Sequence, residues 1–478
     1  MARARLSFLS AGERELIHST SLRILEEIGT AVRSPEVLSL LQHYGGDIDF
    51  STSIARFPEK IVKKALSTTP SEIILAARNP GHDLQLPAVN IPYMATNGLA
   101  VFFQDIETGE IRGSTRNDLA VFIKLADALG AVDFVWTALT AGDVSSMAHG
   151  PYELWTAFQN TTKHVQSITV QSADDARMQI RLAALIAGGM GKLKKRPLMS
   201  VVSAPLSPLT FEGGAIEAQV EFARAGVPIV SMSMSLGGMC APVTVAGMIT
   251  SLNAENLASL VITQAAAEGA PFIYSSESMP VNMLDATVDY GSPEYTAVSA
   301  GAAEMAENYN LPCMVGSFGT TGNDTGMDGS VCEIFSCAGT TLSGTDLAAG
   351  LGSILAAKGC SCEQLVIDAY TWECFRAFTK QHEISGKTIA YDVMQKVGHK
   401  PAYFTEDHTL AHFKDYFTLW DREKLKLQKT FSSEKVSEAN KIVRRLLGEH
   451  QVEQIDPELV KEGDKLLAEY EKNCDSRK

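Results

Sequence analysis

The stretch Val227–Pro242, VPIVSMSMSLGGMCAP, reads as a short apolar strand that runs into a glycine-rich loop, and a long helix follows it. The same phrase recurs further on. PFIYSSESMP begins at Pro271, continues as an extended loop through Gly291 and gives way to a helix from Ser292. LPCMVGSFGTTGNDTGMDG begins at Leu311, and a helix is expected from about Ser330. Outward from these three units, VDFVWTAL, HVQSITVQ, PLMSVVSA and TDLAAGLGSI are further strands. Helices are expected near 151–162, 173–190, 212–225, 244–268, 292–309, 328–342 and 363–380. The segment Tyr93–Phe103, with the helix after Thr115, adds an eighth unit. Eight strand–helix units predict an α/β fold of the TIM type, a closed (β/α)8 barrel, over an open doubly wound sheet. No G-x-G-x-x-G follows a strand, and no Walker A sequence is present. Chemistry is expected in the long loops at the strand exits.

Both ends of the chain differ from this alternation. Residues 1–90 are expected to form a helical N-terminal region with short strands, 91–380 the barrel and 381–478 a helical extension. Ser10 is a candidate N-cap. In SPEVLSLLQHYG, Ser34 caps, Pro35 takes the first helical position and Gly45 stops the helix. FPEKIVKKAL is a third short helix. These amphipathic helices must cover either the main domain or a partner subunit. The charged C-terminal helices are expected to pack on the barrel, and a homo-oligomer is expected.

Composition excludes several classes. The chain has 478 residues, is 45% hydrophobic and carries a formal net charge of −15, which argues against nucleic-acid and anionic-membrane partners. The N-terminus lacks the apolar core of a signal peptide, and no apolar run reaches the roughly 18 residues of a membrane span, so the cytoplasm is the expected location. Eight cysteines make no C-x-x-C pair, and Cys360-Ser-Cys362 is the nearest approach. Free thiols are expected.

Acid–base machinery is scarce. There is no H-E-x-x-H and no G-x-S-x-G, and the exit loops are rich in Gly, Ser, Thr, Met and aromatic residues. Such a site binds and orients. Tyr93, Phe102, Phe103, Trp136, Trp155, Tyr274 and Phe318 lie near the expected strand ends. Several such rings can hold a quaternary ammonium by cation–π attraction, each worth about 0.5–2 kcal/mol. Barrel core is the competing reading for each ring, strongest for Trp155 inside a helix; Tyr93 and Phe318, beside glycine loops, are favoured as ligands. Asp143, Glu277, Asp285, Asp289 and Asp324 are loop carboxylates, and Glu277 is taken as the complement of a cation; solvated loop decoration is the alternative. Lys163 and His164 precede a strand, at the barrel's stable end.

The chain also resembles a known family. The phrases SLRILEEIGTAV with SPEVLSLL, AARNPGHDLQL, QDIETGEIRGSTRNDLAVFIKLADAL, Ser207–Leu209, GGMCAPVTVAGMITSLNAE, Tyr290–Glu294 (YGSPE), CEQLVID and TEDHTLAHF are similar, in order, to the trimethylamine methyltransferase superfamily of corrinoid-dependent methyltransferases. Within it the chain resembles the branch without pyrrolysine that includes glycine betaine:corrinoid methyltransferase. The resemblance implies a TIM-type barrel and methyl transfer from glycine betaine, or another betaine such as carnitine, proline betaine or γ-butyrobetaine, to cobalt of a corrinoid on a separate protein. A non-catalytic quaternary-amine-binding protein is the other class. In the trimethylamine members pyrrolysine follows a late barrel strand; the matching place, near Thr325–Met327, holds ordinary residues. A quaternary amine suits that difference, because it leaves as a neutral tertiary amine and requires no acid. It also offers zinc no lone pair, so no directly bound metal is expected. Phe102, Phe103, Tyr93, Tyr274 and Phe318 would then hold the ammonium with Glu277. The loops at Gly237, Gly238, Gly319, Gly322, Asn323 and Asp324 would receive the substrate carboxylate and the macrocycle.

Overall fold

The structure, a computed structural model, describes residues 6–89, 91–317, 337–339, 341–379, 382–399, 402–416, 423, 426–427 and 432–475. Eight strands close into a barrel: β1 (Tyr93–Thr96), β2 (Phe134–Trp136), β3 (His164–Ser167), β4 (Met199–Ser203), β5 (Ile229–Ser233), β6 (Phe272–Ser276), β7 (Cys313–Ser317) and β8 (Leu347–Leu351). Each pairs in parallel with the next, and β8 returns to β1, where Leu347 meets Tyr93. The expected (β/α)8 architecture is therefore what the chain adopts.

Strand parity separates two cores. Val135, Ile229, Phe272, Tyr274 and Val315 face outward into the helix layer, while Phe134, Trp136, Val230, Met232, Ile273 and Met314 face inward. Aromatic, thioether and aliphatic side chains fill the narrow interior. Its N-terminal end is closed by an antiparallel hairpin, Ile73–Leu75 with Leu84–Leu86, whose Ile73, Leu75, Leu84 and Leu86 join the inner cluster. The opposite end, where the strands exit, carries the long loops.

The outer layer explains the terminal helices. Helix Ala11–Arg23 starts at a Ser10 capping box, and helix Pro35–Tyr44 starts at Ser34 with Pro35 in its first turn. Gly45 ends the second with φ +113°, a conformation that suits glycine. These helices and Glu59–Thr68 pack on the long helix Val245–Ala266, so the preface covers the barrel. Asn253 Nδ2 donates to Ser21 Oγ at 2.9 Å across that seam. Val245–Ala266 is long and apolar enough to cross a membrane, yet it is mostly buried inside the protein, and its polar side chains are bonded there. The run is interrupted by Asn253, Glu255 and Asn256, which hid its overall apolarity. At the other end of the chain, helix Ser432–Glu449 packs on Arg116–Ala128 and Cys362–Thr379. The last helix, Pro457–Asp475, packs on Ala173–Ala187 and on His149–Asn160, where its Asp464 accepts the indole N–H of Trp155 at 2.8 Å. Cys240, Cys313, Cys337, Cys360, Cys362, Cys374 and Cys474 are free thiols.

Candidate functional site

With one end plugged, access to the barrel interior is from the strand-exit side. The sequence-predicted residues distribute unevenly around it. Glu277 follows β6 directly. Its amide donates to Ser233 O at 2.9 Å, so the strand pairing persists through it, and the parity of Ile273 and Ser275 turns its side chain inward. The carboxyl keeps an edge open to solvent but is otherwise enclosed by protein. Burial pushes it up to about 7, against a hydrogen bond from the Tyr290 hydroxyl that favours the ionised form. Tyr290 is itself buried and meets Tyr295 edge-on, with centroids 5.7 Å apart. The residue was overlooked in the sequence, although Ser292 and Pro293 fix the helix start two residues later and so hold it at the mouth.

Opposite Glu277 is Trp136, the last residue of β2. In the ring order β3-β4-β5-β6-β7-β8-β1-β2, strands β2 and β6 are diametrically placed. Trp136 faces inward and is 7% exposed. Gly98 makes room for it: a Cβ there would lie 2.0 Å from the indole ring and 2.2 Å from Ile168. The indole N–H is buried and has no hydrogen-bond partner among the described residues. Beside it, in register on β3, Gln166 donates to Met314 Sδ at 3.4 Å and accepts from Ser200, which floors the interior.

The aromatic cage is not assembled as expected. Tyr93 begins β1 and so lies at the plugged end, against the hairpin, where burial raises its pKa. Tyr274 faces the helix layer, fully buried, and donates to Asn253 Oδ1 at 3.0 Å. Phe102 and Phe103 belong to a separate short strand, Phe102–Gln104, in a four-stranded sheet outside the barrel. Phe103 is buried under the Arg112 guanidinium, 5.7 Å from its ring centroid, whereas Phe102 is 40% exposed. Two placements correct the sequence reading, since strand direction carries Tyr93 to the plugged end and strand parity turns Tyr274 outward; Phe102 and Phe103 stay in the exit loop of β1 but in a sheet outside the barrel wall. Phe318, Gly319, Gly322, Asn323 and Asp324 lie outside the described residues, as does Thr325–Met327.

The glycine loop is also corrected. The Gly237 amide donates to Met279 O at 2.9 Å and that of Gly238 to Ala241 O at 2.9 Å, so neither N–H is available to a carboxylate. Gly237 is needed instead because a Cβ would meet Met248 Sδ at 2.5 Å. The other loop acids are local fasteners. Asp143 accepts from the Arg116 amide, Asp285 from Thr287 and Asp289 from the Gly291 amide. At the stable end, Lys163 donates to the carbonyls of Ala126 and Leu129. His164 sits between Ala76 O and Ser200 Oγ, and burial pushes it down to about 4.

Comparison with known proteins gives a consistent result. The family model described as trimethylamine methyltransferase matches residues 2–473. The trimethylamine methyltransferase MttB of Desulfitobacterium hafniense (strain DSM 10664 / DCB-2) is 31% identical over 86% of this chain and 82% of its own. The glycine betaine methyltransferase of Desulfitobacterium hafniense (strain Y51) is 24% identical over 95% of each chain. Among solved structures, the monomethylamine methyltransferase MtmB of Methanosarcina barkeri aligns over 91% of this chain and 92% of its own, with 13% identity and a TM-score of 0.50, a likeness of fold.

Proposed function

Because the chain belongs to the trimethylamine methyltransferase family, we propose that it moves a methyl group from a quaternary amine, glycine betaine foremost, to the Co(I) of a corrinoid carried by a partner protein. The observation that carries this reading is the inward carboxyl of Glu277 at the open end of the barrel. Brought beside a fixed positive nitrogen, that carboxyl is held ionised and supplies the complementary charge. Tyr290 orients it by donating to it.

The rim suits a methyl-bearing corrin edge. Leu206, Met234, Met239, Val243, Met283 and Leu284 stand exposed on the exit loops of β4, β5 and β6, and thioether side chains adapt readily to an irregular apolar partner. Presented there by its carrier, the Co(I) corrinoid supplies the nucleophile that accepts the methyl group. The chain's part is to fix the substrate so that one N-methyl carbon faces outward, and to keep water from the reacting face. The C–N electron pair stays on nitrogen, so a neutral tertiary amine leaves and no proton donor acts.

A second reading has its own support. Held near 7, Glu277 can keep a proton at neutral pH and pass it to the lone pair of a tertiary amine such as trimethylamine, the substrate in the names of several relatives, so that the secondary amine leaves neutral. Anaerobic incubation of the purified chain with Co(I) cobalamin decides between them. Loss of Co(I) absorbance is expected with glycine betaine, carnitine, proline betaine or γ-butyrobetaine. Loss with trimethylamine alone would select the second reading, and no loss with any amine would remove both.

A further inference from the structure

We propose that the indole N–H of Trp136 is the anchor for a substrate carboxylate, so that this barrel selects zwitterionic betaines over simple quaternary ammonium ions. The inference deepens the function proposed above and rests on it. Trp136 is more than nine-tenths buried and faces the barrel interior, and its N–H finds no acceptor among the described residues. Leaving a buried donor unpaired is costly, and native proteins rarely do so without a use for it. The indole N–H can only donate, so what completes it must be an acceptor. A carboxylate is the strongest such partner.

The surroundings give this donor a direction. Glu277 stands across the barrel on β6, four strands from β2 by either path round the ring. The mouth is therefore polarised, with an acid on one side and an unpaired donor on the other. The side chains that fill the barrel leave its mouth as the place for one small ligand. A short zwitterion laid across it places its ammonium at Glu277 and its carboxylate at Trp136. Gly237 and Gly238 after β5 offer no competing anchor, since their amides are bonded within the protein. The pose of Trp136 is built in: Gly98 leaves the space that the ring occupies, and the Trp136 amide donates to Thr96 Oγ1 at 3.0 Å. The Trp372 indole N–H is also unpartnered among the described residues, but its ring lies in the outer helix layer near Phe375, away from the inner cluster.

Trp136→Phe keeps most of the ring and removes the donor. Calorimetric titration with glycine betaine and with tetramethylammonium, which lacks the carboxylate, compares the two ends of the ligand. The expected result is at least tenfold weaker glycine betaine binding, with tetramethylammonium within twofold of wild type. Equal losses for both ligands, no loss for either, or a wild-type chain that binds no betaine would overturn the proposal. Should the variant fold poorly, the wild-type chain labelled with 15N-tryptophan serves instead. One of its 4 indole N–H signals should move downfield with glycine betaine and stay in place with tetramethylammonium; no selective shift overturns the proposal. The two claims fail separately. Selective binding without Co(I) consumption ends the methyl-transfer reading and leaves the anchor, whereas turnover without selectivity ends the anchor alone.

Discussion

Replacing Glu277 by Gln tests the electrostatics of the mouth on two scales at once. Burial lifts this carboxyl from the ordinary 4.5 to about 7. At about 1.36 kcal/mol per unit, keeping it ionised in the empty protein costs about 3 kcal/mol. The open edge of the side chain lets water reach it, so that figure is an upper one. The sign follows from proton counting. Between pH 4.5 and 7 the folded chain holds a proton that the unfolded chain has released, so the contribution to stability is full below pH 4.5 and is lost as pH rises through about 7. Gln has no such term. Urea unfolding at pH 5 and pH 8 should therefore show Glu277→Gln gaining on wild type by up to about 3 kcal/mol at the higher pH. Ligand binding moves the other way. A quaternary ammonium does not titrate, so any pH dependence belongs to the protein. If only the ionised carboxyl attracts it, wild-type affinity should improve about tenfold from pH 6 to pH 8, in step with the ionised fraction. The variant should bind weakly at both. Wild-type affinity that is flat across this range, with no relative stabilisation of the variant, would refute the reasoning.

Other consequences are narrower. Tyr290→Phe removes the hydrogen bond that favours the ionised carboxyl, so the rise of affinity with pH should shift upward, a displacement readable by the same titrations. Gly98→Ala places a Cβ within 2.0 Å of the Trp136 ring; calorimetric melting should show a loss of about 1–3 kcal/mol, together with perturbed indole fluorescence. Tyr274→Phe leaves Asn253 Oδ1 without this donor and should cost about 1 kcal/mol of stability, while glycine betaine affinity is unchanged when measured at a temperature where both proteins are folded.

Much of the architecture was legible because each barrel strand is announced by an apolar run and closed by a glycine-rich or polar loop. All eight barrel strands fall inside the segments marked in the sequence. The caps at Ser10 and Ser34 and the stop at Gly45 were equally readable, since they depend on residues only a few positions away. The site was harder to see because proximity to a strand end in the sequence does not say which end or which face. Tyr93 lies five residues before Gly98, yet it is the entry residue of β1. Tyr274 and Glu277 are three residues apart and point to opposite sides of the wall. Phe102 was read as part of the first strand, but the chain leaves the barrel after Thr96 and forms a new strand outside. Long-range closure accounts for the rest. Met279 engages the Gly237 amide, and Tyr290 reaches Glu277 from the far end of a loop, pairings that local sequence does not encode. Parity within β2 was the available clue to Trp136: Phe134 and Trp136 share a face that Val135 does not.

The central claim is that a fixed cation at the barrel mouth gives up one methyl carbon to reduced cobalt without a proton donor. Single-turnover reaction of the purified chain with Co(I) cobalamin and N-deuteromethyl glycine betaine measures this directly. The account predicts one dimethylglycine formed for each Co(I) consumed, at a rate that does not fall as pH rises, because the amine leaves neutral and takes its proton from water only after release. A single-turnover rate that falls with rising pH as a proton donor is lost, or dimethylglycine absent while Co(I) persists, would contradict it.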